Sequence, residues 1–271
     1  MLRAVVGELA SVVTHLARYP AAVGRRWTMA AAPPPGSPER PLVVLPGLAD
    51  NTAIFTELRK AFPGPVVSFG YSPLVKDVRT AAHRLAEQIE ELCELAGVPT
   101  VDIVGHSLGG LIARYYVQRL DGHRRVGTAV TIATPHRGTY TAWLLSPIPL
   151  ARQLRPGSEL FGELSEPAPG CTTRFVTFSS TADPMILPSH NGRLEHADLR
   201  VLNVVTTGTG HLALAARPDV LDQIRALLAS APHAVSPTWS SPESSARSAA
   251  ESTGESSRPR PSGDGPMPRS A

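Results

Sequence analysis

The sequence predicts an α/β fold, with a mostly parallel sheet of six or more strands and helices on both faces. Short apolar segments rich in β-branched residues recur along the chain, and helical patterns with one apolar face lie between them. Glycine or proline follows several of these segments, as expected where strands end in turns. Hydrophobic residues make up 42% of the 271 residues, which is enough for a sizeable core.

Each strand is predicted from an apolar run that meets turn residues. The first run, LVVL, ends at Pro46-Gly47, and the second, VVSF, ends at Gly70. The third runs directly into a glycine-rich turn. In chain order, the six predicted strands are residues 42–45, 66–69, 101–104, 126–133, 174–178 and 201–205.

Three helices are predicted from the spacing of apolar residues. Over residues 77–96 these residues recur every three or four positions, which gives one buried face, and Gly97 and Pro99 end the helix. A second helix is predicted around residues 111–120, directly after the glycine-rich turn. A third spans 218–228, with its apolar side chains on one side.

The body of the fold is predicted to span residues 42–230, and three other segments differ from it in composition. Residues 1–30 have the spacing of an amphipathic helix, which either docks on the body or contacts a membrane surface. Residues 31–41 are a Pro-rich linker, and the Ser/Pro-rich tail at 231–271 is predicted to be disordered. Within the body, residues 139–170 are too long and too apolar for an ordinary loop, which predicts a cap-like insertion.

Charge and cysteine content exclude several classes of function. The net charge is +3 without a basic stripe, so nucleic acid is not expected as a partner. Cys93 and Cys171 form no metal-binding pattern, so neither a metal nor a cofactor is expected, while a disulfide between them stays open. No apolar run is long enough to span a membrane, and Glu8 interrupts the N-terminal run that a signal peptide needs. We expect a cytoplasmic protein or one peripheral to the membrane, and secretion is left open.

The stretch VDIVGHSLGG, residues 101–110, predicts a nucleophile. Ser107 follows a strand, lies within the pattern G-x-S-x-G and opens a helix, and Gly105 and Gly109 leave room for a crowded turn. The alternative is a glycine-rich structural turn, but its spacing does not fit a phosphate-binding loop. His106, on the same turn, is interpreted as a residue that packs the loop.

A serine nucleophile requires a histidine as base and an acid that orients this histidine. In open α/β sheets such groups gather at the C-terminal ends of strands. Asp183 is the only acid near the end of the strand predicted at 174–178, although it could instead form a turn before Pro184. His211 is the one histidine that follows the last strand. The chain order serine, aspartate, histidine is the one expected after such a serine turn.

An oxyanion hole requires two N–H groups aimed at the developing negative charge. One is predicted to come from Leu108, the residue after the nucleophile. The other is predicted to come from Leu48, because Gly47 allows the chain to turn after the first strand of the body. The alternative is that this segment is an ordinary strand-to-helix loop.

Together these motifs resemble the α/β-hydrolase superfamily and, within it, the bacterial triacylglycerol lipases and esterases. The resemblance implies the α/β-hydrolase fold, with Ser107 as nucleophile, Asp183 as acid, His211 as base, and Leu48 and Leu108 as oxyanion donors. Many lipases have His-Gly where this chain has Pro-Gly, which leaves the backbone role intact. The resemblance is carried by VVLPGLADN (43–51), VDIVGHSLGG (101–110), TIATPHRGT (131–139), SSTADPMILP (179–188) and TGTGHLALA (207–215).

The predicted function is that of a lipase-like serine carboxylic ester hydrolase, working through an acyl-enzyme without a metal. Trp143, Leu144 and Leu145 of the insertion suit an apolar acyl chain or a lipid surface, and with His136 they are the candidate pocket residues. His136 is interpreted as either a pocket or a structural residue. The expected partner is an ester or lipid substrate, with transient contact to a membrane or lipid surface. The alternatives are an acyltransferase or thioesterase with the same triad, and a non-catalytic binding protein of the same fold.

Overall fold

A seven-stranded sheet forms the centre of the structure, a computed structural model that describes residues 28–29, 40–48, 55–62, 64–70 and 77–230. Its strands are β1 (Thr28–Met29), β2 (Leu42–Leu45), β3 (Val66–Ser68), β4 (Val101–His106), β5 (Val126–Ile132), β6 (Arg174–Ser180) and β7 (Arg200–Thr206). Across the sheet they lie in the order β1-β3-β2-β4-β5-β6-β7, and all neighbours are parallel except β1 and β3. The predicted mostly parallel sheet of six or more strands is therefore confirmed.

Six α-helices and four short 3₁₀ turns connect the strands of the described residues. Asp77 begins the longest helix by accepting a hydrogen bond from the N–H of Arg79 at 2.7 Å. Gly97 ends it in the left-handed conformation, with φ of 65°, as the sequence predicts. The helices are α1 (Thr56–Ala61), α2 (Val78–Ala96), α3 (Leu108–Arg119), α4 (Pro149–Arg152), α5 (Glu159–Glu163) and α6 (Pro218–Ala229), and the 3₁₀ turns are Gly122–Arg124, Tyr140–Trp143, Ser189–Gly192 and Ala213–Ala216.

Both faces of the central strands are buried, because successive side chains of a strand point to opposite faces, whereas the edge strand β7 is half-buried to exposed. Val43, Leu45 and Ile103 belong to an apolar cluster that includes side chains of α2 and α3. Val44 and Val104 belong to a second cluster with side chains of α1 and α6. Helices therefore cover the two faces, as a parallel sheet requires.

One prediction at the N-terminus is wrong. Residues 28–29 belong to the segment 1–30 that was predicted as a helix, but they form β1 and pair with Ser68 and Val67 of β3. An unpaired strand edge offers backbone hydrogen bonds that an extended segment can take up, and this pairing replaces the helix there. The rest of that helix, the linker up to residue 39 and the tail from residue 231 lie outside the described residues.

The insertion at 139–170 packs on the body of the fold. Arg114, buried in α3, donates a hydrogen bond from its guanidinium to the carbonyl oxygen of Leu164 at 2.9 Å. Tyr115, the next residue of α3, donates to the Glu163 carboxylate at 2.7 Å. The insertion also adds apolar side chains to the first cluster: Leu150, Leu154, Leu160, Phe161 and Leu164.

Candidate active site

The three residues predicted to react follow three parallel strands at the same edge of the sheet. Ser107 follows β4, Asp183 follows β6 and His211 follows β7, after connections of different length. Because parallel strands have their carboxyl ends at one edge, residues far apart in the chain meet there. The structure brings all three side chains together.

Ser107 stands on a strained turn between β4 and α3. Its φ of 51° and ψ of −118° are unusual for a residue other than glycine. Its N–H donates to the carbonyl oxygen of Ile132 at the end of β5 at 2.8 Å, which holds the turn in this shape. Ser107 occupies the N-cap position of α3, yet its hydroxyl makes no capping hydrogen bond and is available for another partner.

The glycines around Ser107 are required by close backbone contacts. A Cβ atom at Gly105 would lie 2.6 Å from the backbone nitrogen of Gly110 in α3. A Cβ atom at Gly109 would lie 2.6 Å from the carbonyl oxygen of Pro46, in the loop that leads to Leu48. Backbone atoms cannot move aside as a flexible side chain can, so glycine is the residue that lets α3 start this close to β2 and β4.

A chain of hydrogen bonds links the three side chains. Nε2 of His211 lies 3.0 Å from Oγ of Ser107, and Nδ1 of His211 lies 2.7 Å from Oδ2 of Asp183. An ionised carboxylate only accepts hydrogen bonds, so Nδ1 carries the proton and Nε2 accepts from the Ser107 hydroxyl. This is the tautomer in which a histidine can remove a proton from serine.

Both oxygens of the Asp183 carboxylate are fixed. Oδ1 accepts hydrogen bonds from the N–H groups of Met185 at 2.8 Å and Ile186 at 3.3 Å. The carboxylate is buried, so these N–H groups and the ring of His211 replace water around its charge. Asp183 therefore forms the turn that the sequence left open as an alternative, and it also holds His211.

His106 has a contact with the site that sequence reasoning missed. Its fully buried ring lies 5.0 Å from the ring of His211, measured between centroids. Its Nε2 is 3.3 Å from the carbonyl oxygen of His211. His106 thus supports the backbone of His211 as well as packing the turn. The sequence contained the residue beside the serine but no signal for this partner more than 100 positions away.

A narrow, mainly apolar cavity opens beside Ser107 and His211. Leu48, a predicted oxyanion donor, lies on its wall. Leu108, the other predicted donor, is the first residue of α3, where the helix itself provides no acceptor for the N–H group. The cavity is lined by Leu48, Ser107, Pro135, Thr139, Thr141, Ala142, Leu145, Leu154, Met185, Ile186, His211 and Leu212.

Of the four predicted pocket residues, only Leu145 lines this cavity. The prediction is wrong for Trp143 and Leu144, whose side chains are exposed and do not belong to the cavity wall. His136 does not line this cavity either, and its buried ring, with Nε2 2.8 Å from the Thr131 hydroxyl, agrees with the structural alternative. Burial, with the charge of Arg114 nearby, lowers the pKa of His136 well below 6.5, which favours the neutral ring.

The cavity wall includes threonines and a methionine that the sequence did not single out. The hydroxyls of Thr139 and Thr141 both donate to the carbonyl oxygen of Met185, at 2.8 Å and 2.6 Å. These hydroxyls are satisfied, and the insertion is thereby tied to the loop that carries Asp183. A pairing between two loops distant in the chain leaves no local pattern that sequence reasoning could detect.

The described residues contain neither a metal cluster nor a membrane-spanning helix. No three His, Cys, Asp or Glu side chains among them are grouped so that they could hold a metal ion. In the same part of the chain, no helix is long and apolar enough to cross a bilayer. Cys93 and Cys171 are both buried free thiols, so the disulfide that was left open does not form.

The sheet order, the helices on both faces and the serine turn at the carboxyl edge are those of the α/β-hydrolase fold. The profile of the palmitoyl protein thioesterase family matches residues 41–163, which include Ser107 but end before Asp183. The match and the similar structures reported below agree with the α/β-hydrolase fold that the sequence predicts.

Several solved structures similar in fold to this chain are those of lipolytic enzymes. The mature lipase BlEst2 of Bacillus licheniformis has a TM-score of 0.61 at 16% identity, over 75% of this chain and 98% of the other. Lipase B of Aspergillus fumigatus has a TM-score of 0.58 at 17% identity, over 70% and 52% of the two chains. A structure from work on the metagenome-derived lipolytic enzymes LipS and LipT has a TM-score of 0.56 at 14% identity, over 73% and 96%.

Proposed function

We propose that this protein is a serine carboxylic ester hydrolase. The observation that carries the proposal is the hydrogen-bonded series from Ser107 through His211 to Asp183, with distances of 3.0 Å and 2.7 Å. A serine hydroxyl is a weak nucleophile on its own, and this series supplies both the base and the group that orients the base.

In the proposed reaction, His211 Nε2 takes the hydroxyl proton of Ser107 while Oγ attacks the carbonyl carbon of the ester. The tetrahedral intermediate collapses, His211 returns the proton to the departing alcohol, and an acyl-Ser107 ester remains. His211 then takes a proton from water, and the resulting hydroxide attacks the acyl carbon. The acid leaves, and Ser107 recovers its proton. Asp183 stays ionised and stabilises the imidazolium in both halves of the reaction.

The oxyanion of each tetrahedral intermediate is proposed to accept hydrogen bonds from the N–H groups of Leu48 and Leu108. Leu108 is suited to this role because it is adjacent to Ser107 and starts a helix, where the helix dipole favours negative charge. Leu48 is suited because it shares the cavity with Ser107 and His211. Both donors belong to the backbone, so no side-chain substitution removes either N–H group.

The cavity favours an apolar acyl group. Ala142, Leu145, Leu154 and Ile186 present hydrocarbon to it, and the threonine hydroxyls on its wall are already hydrogen-bonded within the protein. An acyl chain placed there loses water contact without leaving a polar group unpaired. The proposed substrates are therefore esters of aliphatic acids, and the solved lipases similar to this chain agree with that choice.

The test is a series of p-nitrophenyl esters of increasing acyl length, measured on the wild type and on Ser107→Ala. We expect hydrolysis by the wild type and a loss of at least about a thousandfold in kcat in the variant, because no other group replaces the nucleophile. Ser179→Ala is a matched control, because Ser179 lies near the end of β6, close in the chain to Asp183, but does not line the cavity. Equal rates for the wild type and Ser107→Ala would refute the proposal.

A thioester substrate is the second candidate, and the match to the palmitoyl protein thioesterase family favours it. The same nucleophile and base would serve, with a thiol as the leaving group. A thiolate is a better leaving group than an alkoxide, so a thioester depends less on the proton that His211 donates. The rates of acylation by the two kinds of substrate should therefore differ. Comparing butyryl-CoA with ethyl butyrate, which share the acyl group and differ in having a thiol or an aliphatic alcohol as leaving group, decides between them.

A further inference from the structure

Three large apolar side chains of the turn Tyr140–Trp143 and the residue after it are exposed next to the cavity. The exposed fractions of Tyr140, Trp143 and Leu144 are 60%, 45% and 62%. We call these three side chains the aromatic platform. Exposed apolar clusters of this kind mark surfaces that bind another apolar phase.

The platform is continuous with the cavity beside Ser107. The same turn that exposes Tyr140 and Trp143 also contributes Thr141 and Ala142 to the cavity wall. Leu212, next to His211, lines the cavity and is itself partly exposed at its entrance. Anything that covers the platform therefore meets the cavity as well.

The platform is held in place by the body of the fold. The N–H of Tyr140 donates to the carbonyl oxygen of Leu187 at 2.9 Å. The N–H of Leu187 donates in return to the hydroxyl of Thr139, also at 2.9 Å. Together with the threonine bonds to Met185, these contacts fix the turn to the loop that carries Asp183. The platform is thus part of the folded state and does not need to move to become exposed.

Two arginines give the platform a positive border. Arg155 lies over the ring of Trp143, with its guanidinium carbon 5.2 Å from the ring centroid, and donates to the Ser146 hydroxyl at 2.6 Å. Arg152 donates to the carbonyl oxygen of Ser146 at 2.7 Å. Among the described residues no carboxylate pairs with either arginine, whereas the three glutamates of the insertion, at positions 159, 163 and 166, pair with arginines of α2 and α3.

We infer that the aromatic platform docks the protein on a lipid surface that contains anionic headgroups. Tyrosine and tryptophan side chains with exposed faces favour the boundary between hydrocarbon and water, where Leu144 can enter the acyl region. Arg152 and Arg155 then lie at the depth of the headgroups, where anionic lipids attract them. The docked protein presents the cavity to the lipid, so the inference deepens the proposed ester hydrolysis, on which it rests, by naming where the substrate is taken from.

Because the platform is fixed, docking and chemistry are separable. A dissolved ester reaches Ser107 without touching the platform, so platform substitutions should leave its hydrolysis unchanged. An ester embedded in a vesicle is reached only after docking, so the same substitutions should lower its hydrolysis. This separation distinguishes a docking surface from a part of the substrate pocket.

The test measures co-sedimentation with vesicles of phosphatidylcholine, with and without phosphatidylglycerol, in the Ser107→Ala background so that no substrate is consumed. Leu144→Ser should bind about tenfold more weakly, as expected when one partly inserted leucine is lost. The matched control is Leu95→Ser, since Leu95 is equally exposed at 58% but lies at the end of α2, just before β4 begins. This control should bind as the parent protein does. Arg152→Gln should bind the anionic vesicles about fivefold more weakly and bind the neutral vesicles as the parent protein does.

Three outcomes would overturn the inference. Equal binding by Leu144→Ser and Leu95→Ser means that the platform does not contact lipid. Loss of dissolved-ester hydrolysis in Leu144→Ser with Ser107 intact means that the platform belongs to the substrate pocket or to folding. A parent protein that binds no vesicle and forms a dimer, which Leu144→Ser dissociates, means that the platform binds a second copy. Vesicle binding without hydrolysis of any ester by the wild type would instead refute the proposed function alone.

Discussion

Replacing Asp183 by asparagine tests how His211 is oriented. The two carboxylate oxygens of Asp183 have different partners: Oδ1 accepts from the N–H groups of Met185 and Ile186, and Oδ2 faces Nδ1 of His211. In Asp183→Asn the amide oxygen takes the Oδ1 position, because an NH₂ group there would point at two N–H donors. The NH₂ group therefore takes the Oδ2 position. Since it only donates, Nδ1 must become the acceptor, and the ring proton moves to Nε2.

With the proton on Nε2, His211 cannot accept the hydroxyl proton of Ser107. The equivalent substitution in serine proteases lowers kcat by a factor on the order of 10⁴. This factor corresponds to about 5.5 kcal/mol of transition-state stabilisation. The free energy of unfolding should change far less, because the asparagine oxygen keeps both backbone hydrogen bonds.

The assay is the kcat of Asp183→Asn on p-nitrophenyl acetate, with Asp198→Asn as the matched control. Asp198 also accepts a backbone hydrogen bond, from the N–H of Ala168 at 2.8 Å, but does not line the cavity. We expect the control to stay within about twofold of the wild type, since a surface substitution of this kind is nearly neutral. An Asp183→Asn variant within about tenfold of the wild type would refute the assigned tautomer, because the wrong tautomer cannot retain that much activity.

Three further predictions concern stability. A Cβ at Gly105 would lie 2.6 Å from a backbone atom, so Gly105→Ala should lower the free energy of unfolding by about 3 kcal/mol. The control Gly162→Ala in α5, where a Cβ would meet nothing within 4 Å, should raise it by up to about 1 kcal/mol. Equal stability of the two variants in urea would contradict this prediction. Arg79 lowers the pKa of Glu163 in the folded protein. Their ion pair therefore stabilises the fold above the pKa that Glu163 has in the unfolded chain, and this stabilisation is lost as pH falls through its pKa in the folded protein. Glu163→Gln should therefore lower the free energy of unfolding by about 1 kcal/mol at neutral pH and leave it unchanged at acid pH. Because the pKa of His136 is lowered in the folded protein, the unfolded chain binds a proton first as pH falls below 6.5. The free energy of unfolding should then fall by up to about 1.4 kcal/mol per pH unit. In His136→Gln, the free energy of unfolding should depend less steeply on pH.

The candidate catalytic residues could be predicted because their positions follow from chain order and strand ends. Ser107 is marked by its flanking glycines, and Asp183 and His211 each follow a predicted strand. In a parallel sheet the end of a strand also fixes which edge a residue occupies, so one-dimensional information was sufficient. The side of a helical turn is not fixed in this way, which is why Trp143 and Leu144 were wrongly predicted to line the pocket. Only the packing of the insertion decides which side faces the cavity.

The sequence by itself determined the α/β class, the serine turn, and the strands that Ser107, Asp183 and His211 follow. Each of these features depends on residues that are close in the chain. Tertiary structure alone decided the contacts between loops far apart in sequence: His106 beneath His211, the threonines bonded to Met185, and the outward aromatic platform. Such contacts depend on how loops of different length fold against one another. Gly105 and Gly109 are marked by the sequence motif, but only the tertiary structure explains why they must be glycine. There the start of α3 lies so close to β2 and β4 that a Cβ atom would meet backbone atoms.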